Sequence, residues 1–309
     1  MELRQLRYFV GVCEAGSLLR ASARLHVAQP ALGQQIVALE REVGARLFDR
    51  SSRGMAPTEA GKTFLQHARV VLADVERARA AVRESSAVPR GEVVVGVPTT
   101  VALAVTLPIL SACRERFPQV RPKIVEAYSG FLREWLLGGR LDIAMLYGDE
   151  PETGLAKRPL IDEDLALITA STDRHAPRRV GIEALAHRPM VLPGPEHGLR
   201  RIVDEACAQA GIALDVVAEI ESLPSVKQAV EAGIGATVLP LGSVAAETGS
   251  GRLRASIIDS PSMSRRIVCA TSVTRPTTPA CEAAIGLVCG VVREMVLGGA
   301  WPARWIGAD

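Results

Sequence analysis

Two amide side chains and two guanidinium groups near the N-terminus have the chemistry needed to contact nucleic acid. Gln29 and Gln34 lie five residues apart, and Arg50 and Arg53 follow in a segment rich in Ser and Gly. A glutamine amide can pair with an adenine edge in the major groove, and arginine side chains contact phosphates. These residue types indicate a nucleic-acid contact surface, provided that local structure brings them to one side of the chain.

Two apolar stripes with helical spacing surround the glutamines. They predict two short helices joined by a tight turn at 26–27. Gly44 suits the left-handed position that ends a helix, so the second helix should finish there. The first stripe consists of Leu18, Ala21, Ser22 and Leu25, the second of Leu32, Ile36, Leu39 and Val43, and the outer face of the second helix carries Gln29, Pro30, Gly33 and Gln34.

Two helices joined in this way, the second with a polar outer face, form the helix-turn-helix pattern, whose second helix enters the DNA major groove. The next segment, LFDRSSRG at 47–54, predicts a strand and a basic turn that suits a wing lying on the phosphates. Periodicity alone also fits an ordinary three-helix core beside a solvent-exposed hairpin.

The pattern LHVAQPALxxQIxxLExExGxxLFxRxxRGMxxTxAG, from Leu25 to Gly61, resembles the winged helix-turn-helix of LysR-type transcriptional regulators. Length and later segments extend the resemblance over the whole chain. It implies a sequence-specific regulator that binds double-stranded DNA at a palindromic-type promoter site and responds to a small effector. The DNA contacts that it implies are Gln29, Pro30, Gly33, Gln34, Arg50, Arg53 and Thr58.

The chain departs from the family pattern at two positions of the second helix. Ala28 stands where the family usually has a capping Ser, and losing such a cap costs about 1 kcal/mol. Gly33 also stands where the family usually has Ser, and a helical Gly costs about 0.5–1 kcal/mol relative to Ala. Gln29 and Gln34 therefore become the stronger candidates for base contacts.

Composition bounds the remaining possibilities. The 309 residues are 48% hydrophobic, enough for two or more cores, and lack an uncharged apolar run long enough to span a membrane. The N-terminal MELRQLRYF has charges where a signal peptide needs apolar residues, so we expect a cytoplasmic protein. Residues 1–58 hold eight Arg and five acidic residues, a net +3 within a whole-chain +2, so the basic excess lies at the proposed DNA-binding end.

The six cysteines have no metal-ligand spacing, and we expect neither a metal nor a cofactor. Most lie among apolar residues, which predicts reduced thiols in the core. The alternative is a redox sensor that uses Cys207. The cysteines are at positions 13, 113, 207, 269, 281 and 289.

Two further helices frame the helix-turn-helix. Residues 3–15 predict a helix that packs behind it, and Thr58 caps a long linker helix that runs to about residue 86. The linker helix carries a heptad seam, which favours a partner helix and hence a dimer. The alternative is a helix packed on its own domain. The seam consists of Leu65, Ala68, Leu72, Val75, Arg79 and Val82.

After a hinge at 85–91 the period changes to short apolar runs that alternate with helices, which predicts an α/β fold with a mostly parallel sheet. This half resembles the effector-binding region of the same family, a periplasmic-binding-protein-like pair of α/β subdomains, and is most similar to the nitrogen-assimilation-control type. We expect a DNA-binding domain at 1–58, a linker at 59–91, and an effector domain at 92–309 whose first subdomain is 92–161 with 267–300 and whose second is 162–266. The predicted strands are 93–97, 123–128, 142–148, 165–170, 189–193, 216–220, 236–241 and 266–272, and the predicted helices are 101–117, 131–137, 198–210, 225–232, 242–247 and 278–297.

Hydroxyl groups at three strand-to-helix junctions are candidate effector ligands, because free N–H groups at helix N-termini attract anions. They are Thr99 and Thr100, Ser129, and Ser222. His197 and Arg200, from the second subdomain, are candidates to neutralise an anion. The alternatives are ordinary helix caps for the hydroxyl residues and a solvent-exposed loop position for His197.

Nucleophile elbow, phosphate-binding loop and zinc-protease motifs are missing from the sequence, so we expect no catalytic residues and no enzyme. The runner-up hypothesis is a small-molecule binding or transport protein with an incidental N-terminal helical domain. The family resemblance also implies a dimer or tetramer, and RNA polymerase is a further candidate partner. No membrane partner is expected.

Overall fold

The computed structural model describes residues 1–51, 54–83, 88–173 and 177–308, with backbone alone at 50, 51, 77 and 80–83. Contacts divide the chain into two units. One comprises Met1–Ala87 with Leu137–Arg140, and the other Val88–Leu136 with Leu141–Asp309. Each unit has its own hydrophobic core.

The first unit contains the predicted helix-turn-helix. Helices α1 (Leu3–Ala15), α2 (Leu18–Leu25) and α3 (Gln29–Val43) have the predicted bounds. His26 has a φ of 54° and occupies the left-handed position that ends α2, and Gly44, with a φ of 75°, ends α3. The second helix therefore begins directly after Ala28 and ends directly before Gly44.

A two-stranded wing follows. Strands β1 (Phe48–Ser51) and β2 (Gly54–Pro57) pair antiparallel, and α4 (Glu59–Arg83) leads away from them. The Met55 N–H donates to the carbonyl of Gly16, which joins the wing to the α1–α2 loop. Phe9 lies between the Phe48 and Phe64 rings, with both centroids 5.1 Å away, so α1, the wing and α4 share one core.

Part of the heptad seam on α4 packs into the hydrophobic core of its own domain. Ala68 is buried there, and Leu65 and Leu72 pack against the same cluster. The Arg7 guanidinium also donates to Glu76, which ties α4 to α1. Val82 and the end of the seam lie outside the described side chains. The alternative considered for this helix, packing on its own domain, thus accounts for the first half of the seam.

The second unit contains eleven strands and six α-helices among the described residues. Its α/β alternation is as predicted, whereas β11, β7, β13 and the first half of β6 were not predicted, and a 3₁₀ turn at Leu241–Val244 with the short α9 replaces one predicted helix. The strands are β3 (Gly91–Val97), β4 (Val120–Glu126), β5 (Ile143–Tyr147), β6 (Leu155–Ala170), β7 (Arg179–Val180), β8 (Pro189–Leu192), β9 (Asp215–Glu219), β10 (Thr237–Pro240), β11 (Leu253–Ile258), β12 (Ser264–Ser272) and β13 (Arg304–Trp305). The helices are α5 (Thr99–Arg116), α6 (Ser129–Leu137), α7 (Gly198–Gln209), α8 (Leu223–Glu231), α9 (Ala245–Gly249) and α10 (Pro279–Leu297).

The sheets are mixed, which corrects the expectation of a mostly parallel arrangement. Strand β3 pairs parallel with β4 and β5, and β8 pairs parallel with β9. The long strands β6 and β12 return in the opposite direction, so β12 pairs antiparallel with both β5 and β6. Hydrophobic runs alone do not reveal strand direction, because both kinds of buried strand are apolar.

Two crossing strands connect two subdomains. Residues 155–164 of β6 pair with β12, and residues 165–170 pair with β10 and β11. The change of pairing partner along β6 therefore lies at 164–165. On the return, Ser264 already pairs with Asp164 of the first subdomain. None of the helices in the described residues combines the length and apolar character needed to cross a membrane.

Candidate functional site

The outer face of α3 presents unpartnered polar groups to solvent. Gln29, Pro30 and Gln34 are exposed, and Gly33 is half-buried between them. Within the described residues, neither glutamine amide has a hydrogen-bond partner. Such amides lose no internal bond when they contact a base, so this face is free to bind an external partner.

Three buried residues fix the orientation of that face. Leu32, Ile36 and Leu39 are at most 1% exposed and pack into the core of the first unit. Glu40, one position further, accepts hydrogen bonds from the N–H groups of Leu47 at 2.8 Å and Phe48 at 3.2 Å. Packing on one side and this bond to the wing therefore hold the glutamines outward.

The structure shows the surroundings of the two departures from the family pattern. Ala28 makes no side-chain cap, and Pro30 near the start of α3 has no N–H that would need one. A Cβ at Gly33 would meet nothing closer than Leu18 Cδ1 at 4.0 Å. Packing therefore does not require glycine at this position, and nothing in the structure explains this departure.

The wing residues are less completely described. The backbone places Arg50 on β1 opposite Met55, and its side chain lies outside the described atoms, as does the whole of Arg53. Thr58 is a structural cap: its hydroxyl donates to the Arg46 carbonyl at 2.8 Å and accepts from the Gly61 N–H at 2.9 Å. Because its only proton is used, the hydroxyl is poorly placed to donate to a phosphate, and the predicted Thr58 contact gains no support.

A cavity of about 420 Å³ lies between the two subdomains of the second unit. It brings together four of the five predicted effector residues, namely Thr99, Thr100, Ser129 and His197. Ser222 is exposed and outside the cavity, although its neighbour Glu221 lines it. Residues far apart in sequence therefore meet at one site, as expected from the position of the strand ends.

Three helix N-termini converge on this cavity. Thr99, Ser129 and Gly198 are the first residues of α5, α6 and α7, and all three lie at or beside the cavity wall. A Cβ on Gly198 would lie 3.7 Å from the Ser129 hydroxyl, which shows how closely the subdomains approach. Unpaired N–H groups at such ends favour an acidic group on a ligand.

His197 does not supply the positive charge expected of it. Its Nδ1 accepts a hydrogen bond from the Leu199 N–H at 3.1 Å, so the ring caps α7. Burial, above all, lowers the pKa of His197, and the Arg265 charge acts in the same direction against the opposing effect of Glu221. The imidazole is thus neutral and lines the cavity. Its ring lies edge-on to the Tyr128 ring, with centroids 5.1 Å apart.

The cationic group at the cavity is Arg201, and Arg200 is excluded from that role. Arg200 is bound by Asp204 at 2.9 Å and by Glu219 at 3.2 Å, and its side chain is 12% exposed. Arg201 lines the cavity, is exposed, and forms no ion pair within the described residues. Adjacent arginines cannot be told apart by sequence, because the turn of the helix decides which one faces the cavity.

Carboxylates occupy much of the remaining wall. Glu134, Glu196 and Glu221 line the cavity. One oxygen of Glu221 accepts from the Gly194 N–H at 2.9 Å, and Tyr128 donates to the Glu221 carbonyl at 3.2 Å. A wholly anionic effector would face these three negative charges.

A buried polar network supports the cavity from behind. Arg265 and Glu163, each with a 2% exposed side chain, form an ion pair with closest atoms 2.7 Å apart. Arg265 also donates to Tyr147 and to Thr100, both at 2.9 Å. The indole N–H of Trp301 donates to the other oxygen of Glu163 at 2.8 Å, which completes the network.

This network was missed at the sequence level, although its members carry recognisable chemistry. Arg265 and Glu163 face each other in the β6–β12 pairing, where these strands cross between subdomains. Thr100 and Tyr147 belong at once to the network and to the cavity wall. A charge in an otherwise apolar strand was the available signal, but its partner is about a hundred residues away and the pairing could not be deduced.

Comparison with known proteins places both units among regulators. Residues 3–62 match the family model described as bacterial regulatory helix-turn-helix protein, lysR family, and residues 86–290 match the LysR substrate binding domain. The chain is 37% identical over 285 residues to the nitrogen assimilation regulatory protein nac of Klebsiella aerogenes, covering 92% of each protein. The nac protein of Escherichia coli K12 is 34% identical, covering 96% of this chain and 97% of that protein.

Solved structures agree in fold. A full-length OxyR variant from Pseudomonas aeruginosa has a TM-score of 0.73 and 25% identity, covering 95% of each chain. Full-length CbnR in complex with its target DNA has a TM-score of 0.70 and 25% identity, covering 95% of this chain and 99% of that one. The domains and relatives are transcriptional regulators and not enzymes.

Proposed function

Because this chain belongs to the LysR family of DNA-binding transcriptional regulators, we propose that the exposed face of α3 reads its promoter site. The observation that carries this is the pair of outward, unpartnered amides at Gln29 and Gln34. Each bidentate amide–adenine pair contributes about 1–3 kcal/mol of discrimination between bases. Arg50 and Arg53 contribute phosphate contacts from the wing.

A gel-shift comparison of the chain's own upstream DNA with random DNA tests this reading. Gln29→Ala and Gln34→Ala should each narrow the affinity gap by about tenfold or more, since about 1.4 kcal/mol is tenfold. Gln35→Ala, on the half-buried side of the same helix, is the matched control and should leave the gap unchanged. If both glutamine variants keep the wild-type gap, the readout lies in other residues or in DNA shape.

The wing is tested separately by salt. Replacing Arg50 and Arg53 with Ala should weaken binding to all sequences alike and reduce the log–log salt slope by about 0.9 for each lost phosphate contact. A double variant with an unchanged slope would remove the wing from the interface. Loss of base readout gives a different result. It changes the difference in affinity between the upstream DNA and random DNA and leaves the salt slope intact.

We propose that the second unit senses a zwitterionic small molecule in its cavity. The acidic end would lie at the N-termini of α5 and α6 beside Thr99, Thr100 and Ser129, close to Arg201. An ammonium group would face the carboxylate wall that includes Glu221. This refines the expectation of an anionic effector, because the wall carries more acidic than basic side chains.

A thermal-shift panel of amino acids, dicarboxylic acids and simple amines distinguishes these ligand classes. Amino acids should raise the melting temperature more than acids or amines of similar size. Thr100→Val with Ser129→Ala should abolish the shift, whereas Ser222→Ala, at an exposed hydroxyl outside the cavity, should not. A response to dicarboxylates alone would refute the zwitterionic class but not an effector at this site.

We also propose that the protein acts as a dimer, and in tetramers of two dimers, on a palindromic site in the cytoplasm, where RNA polymerase is available as a partner. Support comes from apolar side chains that the single chain leaves exposed. Leu103 and Leu107 on α5 are 59% and 74% exposed, and Val71 on α4 is 39% exposed. Leu72, although it belongs to the seam, is a poor position to test self-association because it packs against the core of its own domain.

Sedimentation of Leu107→Asp tests self-association through α5. The variant should sediment as a smaller species than the wild-type chain at micromolar concentration, because a charge would be placed in an apolar contact. Arg114→Asp, on the same helix, controls for charge alone. A wild-type monomer at this concentration would defeat the dimer proposal.

A further inference from the structure

The cavity between the two subdomains has an apolar side as well as a charged one. Pro98, Ala127, Tyr128 and Phe131 line it from the first subdomain. Phe131 is 53% exposed although its side chain is large and apolar, and Tyr128 is 39% exposed. A ligand that covers these rings gains free energy in proportion to the apolar surface removed from water. The hydroxyl and charged groups described above therefore account for only part of what the cavity offers.

The Phe131 ring is supported by a second ring on the same helix. It stacks on Trp135, one turn further along α6, with centroids 5.9 Å apart and an angle of 25° between the planes. Trp135 is half-buried and packs against the core cluster that contains Leu132 and Leu136. A ring that is already held by its neighbours needs little ordering when a ligand contacts it, so less of the binding energy is lost.

Tyr128, three residues before Phe131, is held by the other subdomain. Its hydroxyl donates to the Glu221 carbonyl at 3.2 Å, and its ring lies edge-on to the His197 ring. Tyr128 thus keeps a fixed orientation in this arrangement of the subdomains. We call the Tyr128 and Phe131 rings the aromatic wall.

The network behind the cavity leaves one hydroxyl proton for a ligand. Arg265 donates to Tyr147 and to Thr100, so both hydroxyl oxygens already accept a hydrogen bond. The two hydroxyls are 3.1 Å apart, and one of them donates to the other. Each hydroxyl has a single proton, so the second proton has no acceptor within the described residues. Because both residues line the cavity, a carboxylate oxygen of a ligand can accept this proton.

We propose that the effector is an α-amino acid with an aromatic side chain. Its carboxylate accepts the remaining proton of the Thr100 and Tyr147 pair, its ammonium faces Glu196 and Glu221, and its ring lies against the aromatic wall. This inference rests on the zwitterionic effector proposed above and adds the third group of that molecule. The cavity volume of about 420 Å³ lies within the range of small-molecule sites.

A ring fits this wall better than an aliphatic chain of similar size. Aromatic rings attract one another in stacked and edge-to-face arrangements beyond the effect of buried area alone. The aromatic wall presents two such rings to the cavity. The expected order of affinity among neutral amino acids is therefore phenylalanine, then leucine, then alanine.

Titration calorimetry of the full chain with L-phenylalanine, L-leucine, L-alanine and 3-phenylpropionate tests this order. L-phenylalanine should bind about tenfold or more tightly than L-alanine because its side chain is buried, and about threefold more tightly than L-leucine. 3-Phenylpropionate has the ring and the carboxylate but no ammonium, so it should bind about tenfold more weakly than L-phenylalanine.

Variants of Phe131 assign the ring preference to the aromatic wall. Phe131→Ala should lower the affinity for L-phenylalanine by about tenfold and that for L-alanine by much less. Phe131→Tyr keeps the ring and should restore the wild-type ratio of the two affinities. Val273→Ala, at a 61% exposed apolar side chain outside the cavity, is the matched control and should leave the ratio unchanged. The melting temperature without ligand shows whether each variant keeps its fold.

The possible negative results have different meanings. Equal affinities for L-phenylalanine and L-alanine would overturn the aromatic side chain and leave the zwitterionic effector in place. Binding of none of the three amino acids, or binding of 3-phenylpropionate as tightly as L-phenylalanine, would refute the zwitterionic effector and this inference with it. A ring preference that survives Phe131→Ala would overturn the assignment to the aromatic wall.

Discussion

The exposed face of α3, which we propose binds DNA, and the cavity of the second unit are built in opposite ways. The surface belongs to one helix, and its Gln29 and Gln34 amides are exposed and unpartnered within the described residues. The cavity draws its walls from several separate segments, and its Thr100 hydroxyl is already bonded to Tyr147 and Arg265. The polar groups of the first site are free to bond a partner, whereas those of the second site are held in place by hydrogen bonds within the protein.

This difference has consequences for each kind of substitution. Substitution of Gln29 or Gln34 removes no internal hydrogen bond within the described residues, so its cost should be confined to the proposed DNA binding. A change in the cavity network also removes a partner from buried charged groups, so folding and binding suffer together. The predictions below test this contrast, beginning with the largest expected effect.

Breaking the buried ion pair should destabilise the second unit most. Glu163→Leu leaves Arg265 charged and without a carboxylate at a 2% exposed position, and removing one partner of such a pair costs about 3–5 kcal/mol. Urea denaturation monitored at the second unit should register this loss. The effector-dependent thermal shift should fall as well, because Arg265 positions Thr100.

The double variant Glu163→Leu with Arg265→Met is the matched control, since it removes both charges and should recover most of the stability. The exposed pair Arg179 and Asp259, with side chains 58% and 68% exposed, serves as a second control. Asp259→Leu should change stability far less than Glu163→Leu does, because solvent screens the exposed pair. Equal losses at the buried and exposed pairs would contradict the proposed support of the cavity.

The first unit also contains a position that does not tolerate a larger side chain, and it lies away from the glutamines. A Cβ on Gly61, near the start of α4, would lie 2.0 Å from the Leu47 carbonyl oxygen. Gly61→Ala must therefore move the helix from the wing, and overpacking of this kind costs about 1–3 kcal/mol or more. Thermal denaturation and DNA affinity should both decline.

Gly44→Ala is the informative comparison for that variant. Gly44 has a φ of 75° but nothing within 4 Å of an added Cβ, so only backbone strain of about 1–2 kcal/mol is expected. If Gly44→Ala impairs DNA binding as much as Gly61→Ala does, then strain at the end of α3 matters more than the contact between α4 and the wing.

Sequence determined the first unit almost completely because its organisation is local. The stripes from Leu18 to Val43, the turn at His26 and the glycine at 44 set α2 and α3 within a span of 27 residues. In the second unit the strand ends placed Thr99, Thr100 and Ser129 at one cavity, since topology brings them together. Pairings such as Arg265 with Glu163 depend on register over about a hundred residues, and no local pattern encodes that register.

The adjacent Arg200 and Arg201 provide a smaller test of the same contrast. Arg200→Ala removes charge-assisted hydrogen bonds at a 12% exposed side chain and should cost about 1.5–3 kcal/mol of stability. Arg201→Ala should change stability by less than about 0.5 kcal/mol, because its guanidinium is exposed and unpaired within the described residues. Only Arg201→Ala should reduce the rise in melting temperature that ligands with an acidic group produce, while the fold stays intact. The reverse pattern would mean that the pairing seen for Arg200 opens in solution.

The smallest effect concerns pH. Burial lowers the pKa of His197 below the ordinary value of about 6.5. As the pH falls through that value, His197 therefore becomes protonated in the unfolded chain while it stays neutral in the folded chain. The stability contributed by neutral His197 is therefore complete above pH 6.5 and is lost progressively below it, towards the folded-state pKa. Protonation would also remove Nδ1 as acceptor for the Leu199 N–H.

His197→Asn keeps a capping acceptor and should abolish this part of the difference in urea midpoint between pH 7.5 and pH 5.5. His197→Ala should instead lose the cap at both pH values, at a cost of about 0.5–2 kcal/mol. An Asn variant with the full wild-type pH dependence would assign the effect to another group and leave His197 as a simple helix cap.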